Sequence, residues 1–433
     1  MVYLVAIIIA GFMLANMFYA SCVIMFFTIW QPGILFYDVP AVVLLSPFKT
    51  AAILSILSWV LHKKNPIIQS PKNWALLIFI FAHAGYYLVS HPVLSSAITV
   101  FKLWLNYGIL YFILANTFNT LREIRKSIFV ILAGILHLIY WAHQNLYLLK
   151  IEGAPPERIY AYGMYDNAND LSLIITISLP FTIYLFSYTP KRILKFILFM
   201  IAILQVVTVF ETISRAGILG VGLILFLSVY ESTTISKMLK SLLIGIMITG
   251  MLVLIPYQLS KRSDAANMSG SDDSFQMRIK AWKAAVIMVY HYPLFGVGHE
   301  NFRSYYKIYG EFLRKDKPAI ETHNTIMHVA AESGLVGLLS FALILWFTWK
   351  DLFLILKKCK NDPEHKEMFF LTRSVRNSFL AFLWCTFFSI KEYEWFFYII
   401  LAYSTALRGI FEKTFGYYPE KDPSVIAVQK KQR

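Results

Sequence analysis

In 321-ETHNTIMHVAAESGLVGLLSF-341, glutamate, histidine and asparagine side chains stand directly against a long apolar run. His323 is the residue with chemistry to offer. An imidazole titrates near neutral pH and can take a proton from a hydroxyl group. Next to it Asn324 opens a predicted helix, and a histidine at the mouth of a membrane helix can equally contact lipid headgroups. His328 and Glu332 lie four residues apart on one helical face, and for them a structural pairing is the favoured reading. Two arginines offer complementary chemistry. Arg215 follows 211-ETIS in a short turn. There it either anchors a helix end to headgroups or, beside Ala216 and Gly217, meets a ligand at close range. Arg278 lies one helical turn before Trp282. The two either form a cation–π contact, or Arg278 is a planar bidentate donor for phosphate.

The elements that must position these residues are apolar. Of 433 residues, 58% are hydrophobic, 16% aromatic and only 15% charged, with mean hydropathy +0.59. Soluble domains carry more polar material, and windows of about 18–22 apolar residues, long enough to cross a bilayer, recur along the chain. Backbone amides in lipid must be satisfied within their own segment, which requires helices. The short alternating strands of a porin-like barrel are not seen. The expectation is an all-α polytopic membrane protein with about twelve spans. These run near 2–30, 40–61, 74–91, 95–116, 127–148, 170–187, 192–210, 215–230, 238–257, 334–356, 374–390 and 394–411, the first long enough to be two helices. Helices one to nine occupy 1–257, a long outer loop with amphipathic helices 258–333, helices ten to twelve 334–411, and a polar tail 412–433.

Basic residues crowd the segments around 63–72, 122–126, 191–195, 237–240 and 350–376 and the tail, whereas the opposite short loops hold Lys150, Arg158, Arg215 and Lys391. That asymmetry predicts cytoplasmic termini and an outward-facing long loop. It also assigns the net charge of +15 to topology and anionic lipid, with no nucleic acid as partner. The amino terminus has no basic region, so it reads as a retained span. In 275-FQMRIKAWKAAVIMVYHYP-293, Phe275, Ile279, Trp282, Val286 and Val289 recur at helical spacing, and Pro293 with the following GVG ends the run. This is an amphipathic helix at the membrane surface or against the bundle, and a second short helix spans 324–332.

Lys49 and Lys102 lie inside predicted spans, where a cation is costly unless paired or facing a wet cavity. Together they suggest an anion site at the outer leaflet. No DxD pair, HExxH or Cys/His cluster appears on that face, and the three cysteines form no framework, so neither a metal nor any other cofactor is expected. Phosphate chemistry there would rest on arginine and lysine. A transporter or flippase for an anionic lipid-linked glycan would show internal repeats and Gly/Pro-broken midplane spans. A scaffold would show a cytoplasmic domain.

Four fragments in order resemble a known family: 165-YDNANDLSLIITISLP-180, 213-ISRAG-217, 278-RIKAWKAAVIMVYHYPLFGVGHENF-302 and 322-THNTIMHVAAESGLVGLLSF-341. They are similar to the asparagine-bearing span entry, the S-R-x-G turn, the arginine–tryptophan–P-x-x-G-x-G pattern and the H-N…E-x-G-x-x-G motif of the O-antigen ligases. The related O-antigen polymerases and protein O-glycosylation ligases share these motifs. The resemblance covers about 160–345. It implies a bundle related to the GT-C class and an inverting, metal-independent glycosyltransferase in the bacterial inner membrane. The donor would be a glycan on undecaprenyl pyrophosphate, and the acceptor a hydroxyl of a lipid A–core saccharide, another glycan or a protein. By the same resemblance His323 assists deprotonation of the acceptor while Arg215 and Arg278 hold the pyrophosphate. Lys49, Lys102, Asn169, Asn324, Glu332 and Trp282 are supporting candidates, with Asn167 and Asn169 both eligible for the family asparagine.

Overall fold

The computed structural model describes residues 2–35, 46–62, 67–151, 158–232, 236–246, 249–250, 274–309 and 321–416. The tail beyond 416, the end of the predicted ninth span and parts of the long loop (251–273 and 310–320) lie outside the described residues. The described residues form helices and turns without strands. The principal helices are α1 (Val2–Ala15), α2 (Met17–Trp30), α3 (Pro47–His62), α4 (Pro71–Val89), α5 (Leu94–Thr117), α6 (Leu121–Ile151) and α7 (Ala168–Tyr188). They continue with α8 (Arg192–Glu211), α9 (Arg215–Tyr230), α10 (Ser274–His291), α11 (Phe302–Tyr309), α12 (Thr325–Cys359), α13 (Lys366–Thr386) and α14 (Trp395–Phe415).

Five of these are long and apolar enough to cross a membrane by length and composition: α5, most of α6, α7, α8 and α12. This is a helical membrane protein. The first apolar window is two helices, broken at Asn16, whose side chain accepts a hydrogen bond from Phe18 N and so caps α2. Similar local chemistry starts other helices. Ser70 with Pro71 opens α4, Asn167 opens α7, Ser214 opens α9 and Asn324 opens α12.

α12 packs on α4, α13, α14 and α10, while α7 packs on α8, α9 and α13. Where α9 crosses α7, a Cβ on Gly217 would stand 2.6 Å from Ser172, so only glycine allows that approach.

Two expectations need correction. The window 374–390 is displaced, because α13 begins at Lys366 and ends at Thr386. Its charged start is tolerated since Arg376 is paired with Glu231 and Arg125 with Glu367. Residues 387–394 are thereby released to form a turn that enters the site. The buried face of α10 also differs. Ala281, Ala284, Ala285 and Met288 pack inward with Ala331 of α12, whereas Val286 is exposed. Small residues win this face because α10 lies close against α12. The side chain of Phe275 lies outside those described.

Candidate functional site

The site gathers at one end of the bundle, where the turns before α7, α9 and α12 and the turn after α13 meet. Its scaffold is a backbone knot. α12 is kinked at Gly334, with φ 64° and ψ −162°. The kink is met by the turn 293-PLFGVG-298: Leu335 N donates to Pro293 O at 2.8 Å, Val297 N to Ala331 O at 2.8 Å and Gly298 N to Glu332 O at 3.0 Å. A Cβ on Gly334 would lie 2.4 Å from Leu294 O, and one on Gly296 2.3 Å from Ala331 O. The glycines of both motifs are therefore the surfaces by which the loop docks on the helix, and the turn satisfies backbone groups around the kink.

Glu332 is fully used within this knot. Its carboxylate accepts from Glu300 N at 2.9 Å, Phe302 N at 3.2 Å and Tyr393 OH at 2.9 Å, so it caps the start of α11. His328 lies 3.5 Å from it through Nε2 and bonds the buried Glu392 through Nδ1. Both residues brace the end of α12.

His323 is held from each side. Trp282 Nε1 donates to Thr322 O at 2.9 Å. The Thr322 hydroxyl donates to Asn324 O at 3.0 Å, and Asn324 Oδ1 accepts from Met327 N at 3.0 Å. Thr325 is in turn tied to the α13–α14 turn, donating to Ser389 O at 2.8 Å and accepting from Lys391 N at 2.9 Å. Between these clamps His323 adopts φ +46°, a left-handed backbone that a non-glycine residue rarely takes. Its neighbours Thr322 and Asn324 are buried while His323 itself stays exposed. The strain therefore projects one imidazole out of an otherwise closed segment.

Arg278 lies within electrostatic reach of both this imidazole and Arg215. Partial burial and the Arg278 guanidinium lower the His323 pKa below the ordinary histidine value, opposed by Glu321 and Asp170. Burial and the neighbouring Arg215 charge likewise lower that of Arg278. Neither arginine makes an ion pair or cation–π contact with a described residue. The cation–π account of Arg278 and Trp282 therefore falls, and the indole N–H is used instead to hold Thr322. Arg215 occupies the first position of α9, after a left-handed Ile213 (φ +52°). A cation there opposes the helix dipole, so helix stability does not explain it. Two arginine charges close enough to repel each other, one of them at a helix N-terminus, are a setting of the kind that suits an anion.

The two eligible asparagines have different work. Asn167 caps α7 by accepting from Asn169 N at 2.8 Å. Asn169 Oδ1 accepts from Arg158 Nη2 at 2.7 Å, and Arg158 Nε donates to Thr212 O at 2.8 Å. Arg158 thus links the entry of α7 to the turn that carries Arg215. Lys49 and Lys102, the lysines expected to be paired or to face a wet cavity, are exposed and pair with no described residue.

Several participants had no motif to announce them. Lys391 is 4% exposed and lies 2.7 Å from Asp170 and 3.6 Å from Glu394. Burial works against its charge, but the two carboxylates outweigh this and raise its pKa. Arg303 Nε lies 2.5 Å from Glu321 Oε1. These groups line a cavity of about 520 Å³ that reaches Glu321, two residues before His323. The polar sequence 391-KEYE-394 between two apolar helices was the available signal.

No curated protein matches the chain. Residues 200–342 match the family model described as O-Antigen ligase. That segment, about a third of the chain, carries Arg215, Arg278 and His323, and in it the chain is similar to the O-antigen ligase family.

Proposed function

We propose that the protein transfers a glycan from undecaprenyl pyrophosphate to an acceptor hydroxyl at the outer face of the bacterial inner membrane. The observation that supports this reading is Arg278 within electrostatic reach of both Arg215 and a His323 held in a left-handed backbone, neither arginine having a carboxylate partner among the described residues. In the reaction the acceptor oxygen attacks the anomeric carbon of the donor sugar. A new C–O bond forms as the bond from that carbon to the pyrophosphate oxygen breaks. His323 takes the hydroxyl proton, and Arg215 and Arg278 hold the charge that grows on the leaving pyrophosphate. Attack opposite the leaving group inverts the anomeric centre, and the scheme uses no metal.

The opposite end of the bundle gathers Lys72, Arg125, Arg373, Arg376 and Arg408 with Asp351, Glu367 and Glu231. That distribution supports a cytoplasmic placement of that end, with both termini on the same side. Ligase and polymerase versions of this reaction differ only in the acceptor.

The test is donor turnover by purified protein, with and without chelator. Substituting His323→Ala, Arg215→Ala or Arg278→Ala is expected to abolish transfer while expression persists. Full activity in the His323 variant removes the base assignment, and loss of wild-type activity on chelation removes the arginine-only scheme.

A further inference from the structure

The cavity that ends at Glu321 has a charge pattern opposite to that of the arginine pair. Asp170, Glu300, Arg303, Glu321, Lys391 and Tyr393 are on its wall. Both of these cations are already held: Lys391 by Asp170 and Glu394, Arg303 by Glu321. The Glu332 oxygens are occupied by Tyr393 and two backbone N–H groups. What remains unspent is acceptor capacity. Glu321 Oε2 is buried without a hydrogen-bond partner, with His328 Nε2 3.7 Å away. A buried carboxylate oxygen left unpaired is costly and calls for a donor from outside. Glu300, 81% exposed, adds a second carboxylate at the rim.

Resting on the transfer reaction above, we propose that this cavity is the acceptor subsite and that Glu321 selects an uncharged, hydroxyl-rich sugar ring there. About 520 Å³ is within the range of small-ligand pockets. Sugar hydroxyls are donors, and hydrogen bonds from them to carboxylate oxygens are charge-assisted. The rings of Phe302 and Tyr393 on the wall provide apolar surface for the C–H face of a pyranose. A phosphate or uronate at the same place would meet like charge. His323 therefore stands between two compartments of opposite preference, an anion place at Arg215 and Arg278 and a hydroxyl place at Glu321. This division keeps the pyrophosphate end of a donor out of the acceptor position, a specificity built from repulsion as well as attraction. It also favours a saccharide acceptor over a protein hydroxyl.

The experiment uses the full chain in lipid nanodiscs and saturation-transfer NMR with two probes, methyl glucoside and glucose 6-phosphate. Methyl glucoside is expected to give a signal and glucose 6-phosphate to fail to displace it. Glu321→Gln is expected to weaken glucoside binding about tenfold, the equivalent of one charge-assisted hydrogen bond. Glu300→Gln, at an exposed position that should not disturb folding, is expected to weaken it less. Equal binding of the two probes overturns the proposal, as does a signal unchanged in both variants. If Glu321→Gln loses its native melting transition, the Glu300→Gln result decides. In transfer assays, a raised acceptor KM with unchanged donor KM supports the subsite, and an unchanged acceptor KM sinks it while leaving the transfer reaction standing. Selective glucoside binding without any donor turnover has the reverse meaning: the subsite stands and the transfer reading falls.

Discussion

Replacing Trp282 by phenylalanine separates positioning from anion binding. The substitution keeps an aromatic ring in the half-buried position but deletes the N–H that donates to Thr322 O at 2.9 Å. Thr322 is fully buried, so its carbonyl is left short of a donor at a cost of about 1–3 kcal/mol. The left-handed backbone of the next residue, His323, carries strain of about 1–2 kcal/mol for an L-residue. The lost bond is thus as large as the strain it helps to offset, and the segment gains access to relaxed conformers that point the imidazole elsewhere. At about 1.4 kcal/mol per factor of ten, transfer should fall about tenfold. Arg215 and Arg278 are untouched, so donor KM should stay at the wild-type value while kcat carries the loss. The assay is steady-state transfer from a lipid-linked donor, with melting temperature as the control for folding. An unchanged kcat, or a loss residing entirely in donor KM, would refute the clamp.

Three other outcomes follow from the same geometry. The folded His323 pKa lies below the ordinary 6.5, so its neutral, proton-accepting form persists to lower pH than in a free histidine. The acid limb of the kcat/KM profile should then fall below pH 6.5; a limb above that value contradicts the assignment of His323 as the base. Gly334→Ala puts a Cβ 2.4 Å from Leu294 O on a backbone conformation reserved for glycine, and stability should drop by about 3 kcal/mol or more. A melting temperature equal to wild type would show that the knot does not hold the kink. Lys391→Met leaves the buried Glu394 and the partly exposed Asp170 without their cation, at an expected cost of about 3 kcal/mol. Adding Asp170→Asn should recover part of that loss, and a single variant as stable as wild type would remove Lys391 from the framework.

Much of the helical arrangement is legible in the chain because hydrophobicity and capping are local. Ser70-Pro71, Asn167, Ser214 and Asn324 each stand where a helix starts, and apolar windows predict most of the helices. The exceptions are physical. The predicted eleventh span began and ended too late, because hydropathy counts Glu367 and Arg373 as penalties without knowing that Arg125 and Glu231, far away in the chain, pair with them. The buried stripe of α10 was assigned to its large apolar residues, whereas close packing against α12 selects alanines.

For the site, residue type marked His323, Arg215 and Arg278 as candidates, and the resemblance to the O-antigen ligases gave them the roles of base and pyrophosphate ligands. The sequence also determined that glycines flank them and that they sit at helix mouths. Tertiary structure decided the rest. It bent His323 into a left-handed backbone between Thr322 and Asn324, and it brought Arg278 within electrostatic reach of Arg215. It committed Lys391 and Arg303 to carboxylates while leaving Glu321 Oε2 without a hydrogen-bond partner. Pairing is a property of distances across the fold, and residues such as Asp170 and Lys391, separated by 221 positions, carry no local pattern that announces it.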